Sequence, residues 1–191
     1  KYKLMTQKKL IIFMPSIEGG GVEKNLFLIS NYLAKNLPGT ILITSSKKYK
    51  KKFRNLKIIN PKINVENFES RKLKYFFCIF ELIKLLICNN NYILFSFQAN
   101  LYCALIGIFF PKLKIITRSN SSPSGWSDNI LKKIIFYFLF KRIDRVIVNS
   151  LNFKNELKKK FNVNSICIYN PLNKDEIIKL SKKKKYFNFF I

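Results

Sequence analysis

A short apolar run followed by three glycines, close to the N-terminus, constrains the fold of this chain more than any other stretch. Residues Leu10–Met14 are continuously apolar, which is typical of a buried strand. Pro15 ends that strand because it cannot donate a ladder hydrogen bond. After Gly19–Gly21, apolar residues recur at helical spacing over Val22–Leu37. The order of strand, glycine turn and helix predicts an α/β unit.

The glycine turn has two interpretations. Without Cβ atoms, Gly19, Gly20 and Gly21 can adopt positive φ and let a ligand come close to the backbone, and the N–H groups at the helix start favour an anion. Alternatively, the three glycines only form a tight turn. The spacing excludes a P-loop, and it excludes the dinucleotide fingerprint because Val22–Asn25 stands where the third glycine should be.

The charge of the chain also has two explanations. Lys and Arg number 36 against 10 Asp and Glu, so the formal net charge is +26. This balance predicts attraction to nucleic acid or to an anionic membrane surface. The explanation we favour is mutational bias in an AT-rich genome, because the lysines are scattered along a chain rich in Asn, Ile and Phe. Hydrophobic residues make up 48% of the sequence, which excludes a disordered chain.

Several kinds of site are excluded by residue type. The chain has no histidine, which rules out Ser-His-Asp and Cys-His catalysis and mixed Cys/His zinc sites. Cys78, Cys88, Cys103 and Cys167 contain no C-x-x-C pair, so we expect no metal site and buried, reduced thiols in a cytosolic protein. We expect no signal peptide, and every apolar stretch is shorter than the roughly 20 residues that cross a membrane.

Strands and helices alternate along the rest of the sequence. Further strands are predicted at 40–44, 56–59, 92–96, 113–117, 144–148 and 165–169. Helices are predicted at 73–87, 99–110, 130–140 and 151–160, and 175–180 can begin another. The segment 73–87 is apolar on all sides, which indicates a buried helix. This alternation predicts an α/β, Rossmann-like, doubly wound and mainly parallel sheet with helices on both faces.

Polar residues follow four of the predicted strands. In doubly wound sheets, ligands bind beyond the C-terminal ends of the strands. That rule groups the glycine loop with three other polar stretches, at 96–100, 118–120 and 149–150. We expect these four stretches to share one edge of the sheet.

Four segments resemble, in the same order, motifs of family-four glycosyltransferases. They are Pro15–Glu23, Arg118–Asn120, Asp144–Ser150 and Ile168–Leu172. The resemblance is to the N-terminal domain, covers nearly the whole chain and implies one half of a GT-B architecture. It implies retaining transfer, with no metal, from a UDP- or GDP-sugar to a saccharide or lipid-linked acceptor in cell-surface polysaccharide synthesis.

The resemblance also implies roles for individual residues. Gly19, Gly20 and Gly21 fit a loop that faces the donor diphosphate. The candidates for the acceptor side of the cleft are Glu23, Gln98, Asn100, Arg118 and Asn120. The residues leave alternatives open, since Glu23 can simply offset the helix dipole and Arg118 can be a solvated loop arginine.

Other positions are interpreted as structural. Asn149 and Ser150 are expected to cap a helix, and Asn170-Pro171 to end the domain. We expect one acceptor-side domain at 5–173 and a truncated interdomain segment at 174–191. The C-terminal domain, which in the family binds the nucleotide and carries paired glutamates, is expected to be absent. No catalytic residue is therefore assigned, and we predict that the chain is inactive without a separate partner chain.

Three other proposals follow from charge and loop chemistry. A basic nucleic-acid-binding module would explain the charge, although the sequence has no RNA-binding motif. A nucleotide-cofactor dehydrogenase lacks the glycine fingerprint. Within the transferase hypothesis, the basic helix 130–142 and nearby Trp126 could rest on an anionic membrane at the inner face of the cell, whereas a buried helix with snorkelling lysines explains the same pattern.

Overall fold

The computed structural model describes residues 8–89, 91–121, 130–172 and 174–182. The strands are β1 (Lys9–Phe13), β2 (Ile41–Ile43), β3 (Lys57–Ile59), β4 (Tyr92–Ser96), β5 (Lys114–Ser119), β6 (Arg145–Val148) and β7 (Ser165–Cys167). The α-helices are α1 (Gly21–Asn36), α2 (Arg71–Cys88), α3 (Asn100–Phe109), α4 (Ile130–Lys141), α5 (Leu151–Phe161) and α6 (Lys174–Ser181). A short 3-10 helix covers Lys50–Lys52.

The seven strands form one sheet in the order β3-β2-β1-β4-β5-β6-β7, and every neighbouring pair is parallel. The predicted Rossmann-like α/β fold is therefore confirmed. The strand order reverses between β1 and β4, and connections leave these two strands in opposite directions. Such a switch point opens a crevice at the C-terminal ends of the strands. The glycine loop after β1 lies beside this crevice.

Side-chain alternation along the strands divides the core into two layers. On one sheet face, Ile11 and Phe13 of β1 belong to a buried cluster with α2, α3, α4 and α5. On the other face, Ile12 of β1 packs in a second cluster with Leu26 of α1. Helices thus cover both faces, as predicted, but four of these five helices lie on the same one.

The expectation that helix 73–87 is buried on all sides is wrong. In α2, only Cys78, Leu82 and Leu86 are buried, whereas Phe76 is 64% exposed and Phe80 is 53% exposed. The alternative that the basic helix 130–142 is buried is also wrong, because Phe138 of α4 is 63% exposed. These helices form the outer layer on their sheet face, so only one side of each reaches the strands.

The cysteines are free thiols, but they are not all buried. Cys78 and Cys103 are buried in the core, and burial raises the pKa of each thiol to about 12. Cys88 is exposed because it is the last residue of α2, and Cys167 at the end of β7 is half-buried. The expectation of a buried thiol is therefore wrong for Cys88.

Arg142, directly after α4, holds together the N-terminal edge of the sheet. Its Nε donates to the carbonyl oxygen of Gly107 at 2.6 Å, and its Nη2 donates to those of Phe110 at 2.9 Å and Leu113 at 2.8 Å. The last carbonyls of a helix lack intrahelical donors, and Arg142 supplies donors at the end of α3. A Cβ at position 107 would lie 2.4 Å from Ile115 Cδ1, so the buried Ile115 side chain would have to shift to admit a larger residue.

Asp144 completes this edge of the sheet. Its Oδ2 accepts the N–H of Ile115 at 2.8 Å, and its Oδ1 lies 2.9 Å from Lys114 Nζ. Arg142 Nη1 is 3.7 Å from Oδ2. Burial acts to raise the pKa of Asp144, but the Ile115 N–H and the Lys114 ammonium hold it below its ordinary value.

Candidate functional site

The glycine loop begins α1 without a side-chain cap. Of the three glycines, Gly19 alone has a positive φ, of 99°. Gly20 is the N-cap residue in an extended conformation, and Gly21 is the first residue of α1. Gly20 supplies no side-chain cap, and the first-turn N–H groups and the positive end of the dipole are directed at the loop. This arrangement favours an anion.

The space around the three glycines differs. A Cβ on Gly19 would lie 2.9 Å from the Tyr49 hydroxyl, and one on Gly20 would lie 3.0 Å from Glu23 Oε2. A Cβ on Gly21 would meet no heavy atom within 4 Å in the part of the chain that the structure describes. The side of the loop next to Gly21 is therefore open to a ligand.

The Glu23 side chain is hydrogen-bonded to the backbone just before the glycine loop. It is 8% exposed, and its Oε1 accepts the N–H of Glu18 at 3.3 Å. The Glu18 carboxylate in turn accepts from Ser16 Oγ at 3.0 Å and from Arg71 Nε at 2.8 Å. The hydrogen bond from Arg71 lowers the pKa of Glu18. The Glu23 carboxylate thus fixes the loop backbone at the helix N-terminus, where its charge is also favourable.

Gln98 and Asn100 join the ends of three neighbouring strands. Gln98 Oε1 accepts the N–H of Ser16, after β1, at 3.2 Å. Ser96 Oγ, at the end of β4, lies 2.7 Å from Asn100 Oδ1, and Asn100 Nδ2 donates to the carbonyl of Arg118 in β5 at 3.1 Å. Between the two amides, Ala99 has a φ of 57°, a left-handed conformation that costs a non-glycine residue energy. Ser96 begins the polar stretch 96–100 but was not among the predicted site residues, although its position at a strand end was a usable signal.

Arg118 is buried, so the alternative of a solvated loop arginine is wrong. The structure extends β5 to Ser119, because residues 118 and 119 pair with Ile147 and Val148 of β6. Arg118 is 2% exposed, and its Nη2 donates to the carbonyl of Ile168 at 3.2 Å and to Asn170 Oδ1 at 2.9 Å. Burial lowers its pKa.

Buried polar atoms without hydrogen-bond partners lie at the C-terminal ends of β5 and β6. Those of the described residues at this edge are Thr117 Oγ1, Arg118 Nε, Asn120 Oδ1 and Asn149 Oδ1. Residues 117 and 120 flank Arg118, and residue 149 follows β6, the strand that pairs with β5. Leaving a buried polar group unpaired costs about 1–3 kcal/mol, so each such group needs an explanation. A bound ligand or water would supply the missing partners.

The predicted helix cap is confirmed for Ser150 and not for Asn149. Ser150 is the N-cap of α5, and its Oγ accepts the N–H of Phe153 at 3.2 Å. The Asn149 amide instead belongs to the unpaired group beside Arg118. Asn170, interpreted from sequence as structural, is a direct partner of Arg118.

The structure places the sequence-predicted residues at one edge of the sheet. They are Gly19, Gly20, Gly21, Glu23, Gln98, Asn100, Arg118 and Asn120. Residues 122–129, which include the end of the predicted polar loop and Trp126, lie outside the described residues. Among the described residues there is no group of three or more metal-ligating side chains, and none of their helices is long and apolar enough to span a membrane.

Comparisons with known proteins find similarity at the level of structure. No protein-family profile matches the sequence, and no curated protein does. A crystal structure of HepE from Anabaena in complex with UDP and glucose superposes with a TM-score of 0.61 at 15% identity, covering 91% of this chain and 49% of that one. A second HepE structure, in complex with UDP-glucose, gives 0.59 at 13% identity and coverages of 91% and 48%.

The lipopolysaccharide outer core galactosyltransferase WaaB, in its apo form, gives a TM-score of 0.58 at 14% identity. The match covers 86% of this chain and 46% of WaaB. The chain thus spans about half the length of the solved structures it matches, and it shares the fold of that half.

Proposed function

We propose that this chain is the acceptor-side domain of a retaining glycosyltransferase of family four. The proposed reaction moves a sugar from a UDP- or GDP-sugar to a saccharide or lipid-linked acceptor in cell-surface polysaccharide synthesis. One observation carries the proposal: a glycine-capped helix start after β1 and buried polar atoms at the ends of β5 and β6, unpaired among the described residues, lie at the same edge of the sheet. The motif resemblance and the fold shared with UDP-containing HepE support this donor class.

In this proposal, the glycine loop faces the donor diphosphate. The open side of Gly21 gives the phosphate room, and the first-turn N–H groups supply donors and positive potential. Negative charge grows on the diphosphate as it leaves the sugar, so these preorganised dipoles stabilise the transition state more than the ground state. Backbone donors can do this with no metal, which is also part of the proposal.

The acceptor is proposed to bind near Arg118. This guanidinium is buried and makes no ion pair with any described residue, so its charge is available to an acidic or phosphorylated acceptor. The hydroxyl groups of a sugar are donors and acceptors at once, which suits the mixture of Arg118 Nε, Asn120 Oδ1 and Asn149 Oδ1. Gln98 and Asn100 then fix the strand ends from which these groups project. A cytoplasmic location is proposed as well, and the free thiols support it.

The experiment is a transfer assay on the complete gene product. Radiolabelled UDP- and GDP-sugars are offered with membrane-extracted and soluble saccharide acceptors, and NMR identifies the anomer of the product. Retention of configuration is expected. Gly21→Val should reduce transfer at least tenfold without lowering the thermal midpoint, because its side chain enters ligand space and not protein space.

Lys35→Ala, on the exposed far end of α1, serves as the matched control and should transfer normally. Absence of transfer from every nucleotide sugar, or an inverted product, would contradict the proposal.

A further inference from the structure

Three helices on one side of the sheet expose large apolar side chains to solvent. We name this surface the outer helical face, and its members are 47–75% exposed. They are Leu73, Phe76, Phe80 and Ile87 of α2, Tyr102, Leu105, Ile108 and Phe109 of α3, and Ile134, Ile135 and Phe138 of α4. Exposed apolar side chains that are grouped on one surface, and not scattered singly, indicate a place where something binds.

The outer helical face is continuous across the three helices. Residues from α2, α3 and α4 share one buried cluster, so these helices cover the same sheet face. The rings of Tyr75 in α2 and Tyr102 in α3 are 6.3 Å apart, and α3 packs directly on α4. Positions 73, 76, 80 and 87 of α2 lie opposite its buried positions 78, 82 and 86. A surface helix normally has one apolar stripe, whereas α2 has two.

Lysines border the aromatic rings of this face. Lys84 Nζ lies 4.2 Å from the ring centroid of Phe80, and Lys141 Nζ lies 4.5 Å from that of Tyr137 and 5.7 Å from that of Phe138. The three helices contain a single acidic residue, Glu81, which pairs with Lys84 at 3.0 Å. The face therefore combines exposed aromatic and aliphatic groups with a nearly uniform positive charge.

We propose that the outer helical face lies on the surface of an anionic lipid bilayer. The apolar side chains would enter the boundary between headgroups and acyl chains, and the lysines would contact anionic headgroups. This contact is interfacial, since none of the described helices is long and apolar enough to cross a membrane.

A second copy of the chain fits this face less well than lipid does. Two-fold pairing would place the face against itself, so Lys84 and Lys141 would meet the same cations with no acidic partner in the facing helices except Glu81. Anionic lipid offers the opposite charge. Lipid binding by this face does not require the proposed transferase activity.

Vesicle sedimentation of the full chain tests the proposal. We expect binding to phosphatidylcholine vesicles that contain phosphatidylglycerol, and weak binding to vesicles of phosphatidylcholine alone. The double variant Phe76→Gln, Phe80→Gln should lose roughly tenfold or more in affinity, because two half-exposed rings no longer enter the bilayer. Tyr32→Gln is the matched control, since this 69% exposed ring lies on α1, across the sheet, and its loss should change nothing.

A charge variant tests the second component of the contact. Lys84→Gln with Lys141→Gln should lower affinity for anionic vesicles by roughly tenfold and flatten its salt dependence. The control replaces the same number of exposed lysines on α1, Lys24→Gln with Lys35→Gln, and should have a smaller effect.

Three results would overturn the proposal. The first is no binding of the unaltered chain to anionic vesicles at low salt. The second is equal affinity of the aromatic variant and the unaltered chain. The third is a dimer, detected by sedimentation velocity, that the aromatic variant abolishes, in the absence of vesicle binding. That result would assign the face to a second copy.

Hydrogen exchange on the unaltered chain gives a readout that needs no variant. Vesicles should slow exchange in α2 and α3 and leave α1 unchanged.

Discussion

Arg118 and Arg142 lie at opposite ends of the same part of the sheet and have opposite surroundings. Arg142, at the N-terminal edge, directs Nε and Nη2 at the carbonyls that end α3 and has Asp144 at 3.7 Å. Arg118, at the C-terminal edge, is 2% exposed, and its Nε has no hydrogen-bond partner among the described residues. A cation with satisfied donors stabilises the fold, whereas one with an unpaired donor is available to a ligand.

The difference extends to the residues around each arginine. The carboxylate of Asp144 is held by the N–H of Ile115 and by Lys114. At the ends of β5 and β6, the side-chain oxygens of residues 117, 120 and 149 are buried and have no hydrogen-bond partner among the described residues. We infer that the side chains at the N-terminal edge stabilise the fold. Those at the C-terminal edge lower its stability and are available to bind a ligand.

The largest loss of stability is expected from Arg142→Ala. It leaves the carbonyls of Gly107, Phe110 and Leu113 without their donor and removes one of the two cations beside Asp144, so the free energy of unfolding should fall by about 3 kcal/mol. Urea denaturation of the full chain measures this. Arg145→Ala is the control, because its exposed guanidinium donates only to the neighbouring carbonyl of Asp144 among the described residues. Equal losses of unfolding free energy in the two variants would contradict the stabilising role given to Arg142.

The next largest loss is expected from Gly107→Ala. Its Cβ would meet Ile115 Cδ1 at 2.4 Å and Arg142 Nε at 3.0 Å, so overpacking should lower the free energy of unfolding by about 2 kcal/mol. Gly21→Ala at the other edge should change it by less than about 0.5 kcal/mol, because that Cβ would stand in open space. Thermal melts of the two variants side by side give the comparison, which a comparable loss at position 21 would contradict.

A smaller and pH-dependent loss is expected from Asp144→Asn, at about 1 kcal/mol near neutral pH. The pKa of Asp144 is lower in the folded chain than in the unfolded chain. Its stabilising contribution is therefore present above the unfolded pKa and disappears as the pH falls through the folded pKa. Denaturation curves at several pH values should show the unaltered chain and the variant converge in acid. A constant difference at every pH would contradict the assignment.

Arg118→Lys should have a small effect on stability and a large effect on function. Lysine keeps the charge but loses the fork that reaches the carbonyl of Ile168 and Asn170 Oδ1, at a cost of about 1 kcal/mol. Transfer by the complete protein should fall tenfold or more, with KM for the acceptor rising and KM for the donor unchanged. A stability loss as large as that of Arg142→Ala, with normal transfer, would make Arg118 a structural residue.

The sequence predicts the sheet well because short apolar runs bounded by proline, asparagine and glycine are strong strand signals. Segments 10–14 and 92–96 correspond closely to β1 and β4. The end of β5 was missed, since Arg118 and Ser119 are polar and resemble a loop until β6 pairs with them. Long-range pairing of this kind leaves no local pattern.

The candidate site was predictable in position but not in detail. The rule that ligands bind beyond strand ends located Gln98, Asn100 and Arg118. Burial of Arg118 was not predictable, because it depends on contacts with residues 168 and 170, some 50 positions later in the chain. The same limit applies to α2, whose periodicity shows that it is apolar on two sides and cannot show which side has a partner.

The most direct measurement of the central claim is a calorimetric titration of the complete gene product with nucleotide sugars and with NAD. We predict that a UDP- or GDP-sugar binds, that Gly21→Val weakens this binding at an unchanged thermal midpoint, and that NAD does not bind. Failure of every nucleotide sugar to bind, or binding of NAD in its place, would contradict the account. If the protein instead binds nucleic acid with a steep dependence on salt, and binds no nucleotide sugar, its positive charge would be explained by a polyanion partner.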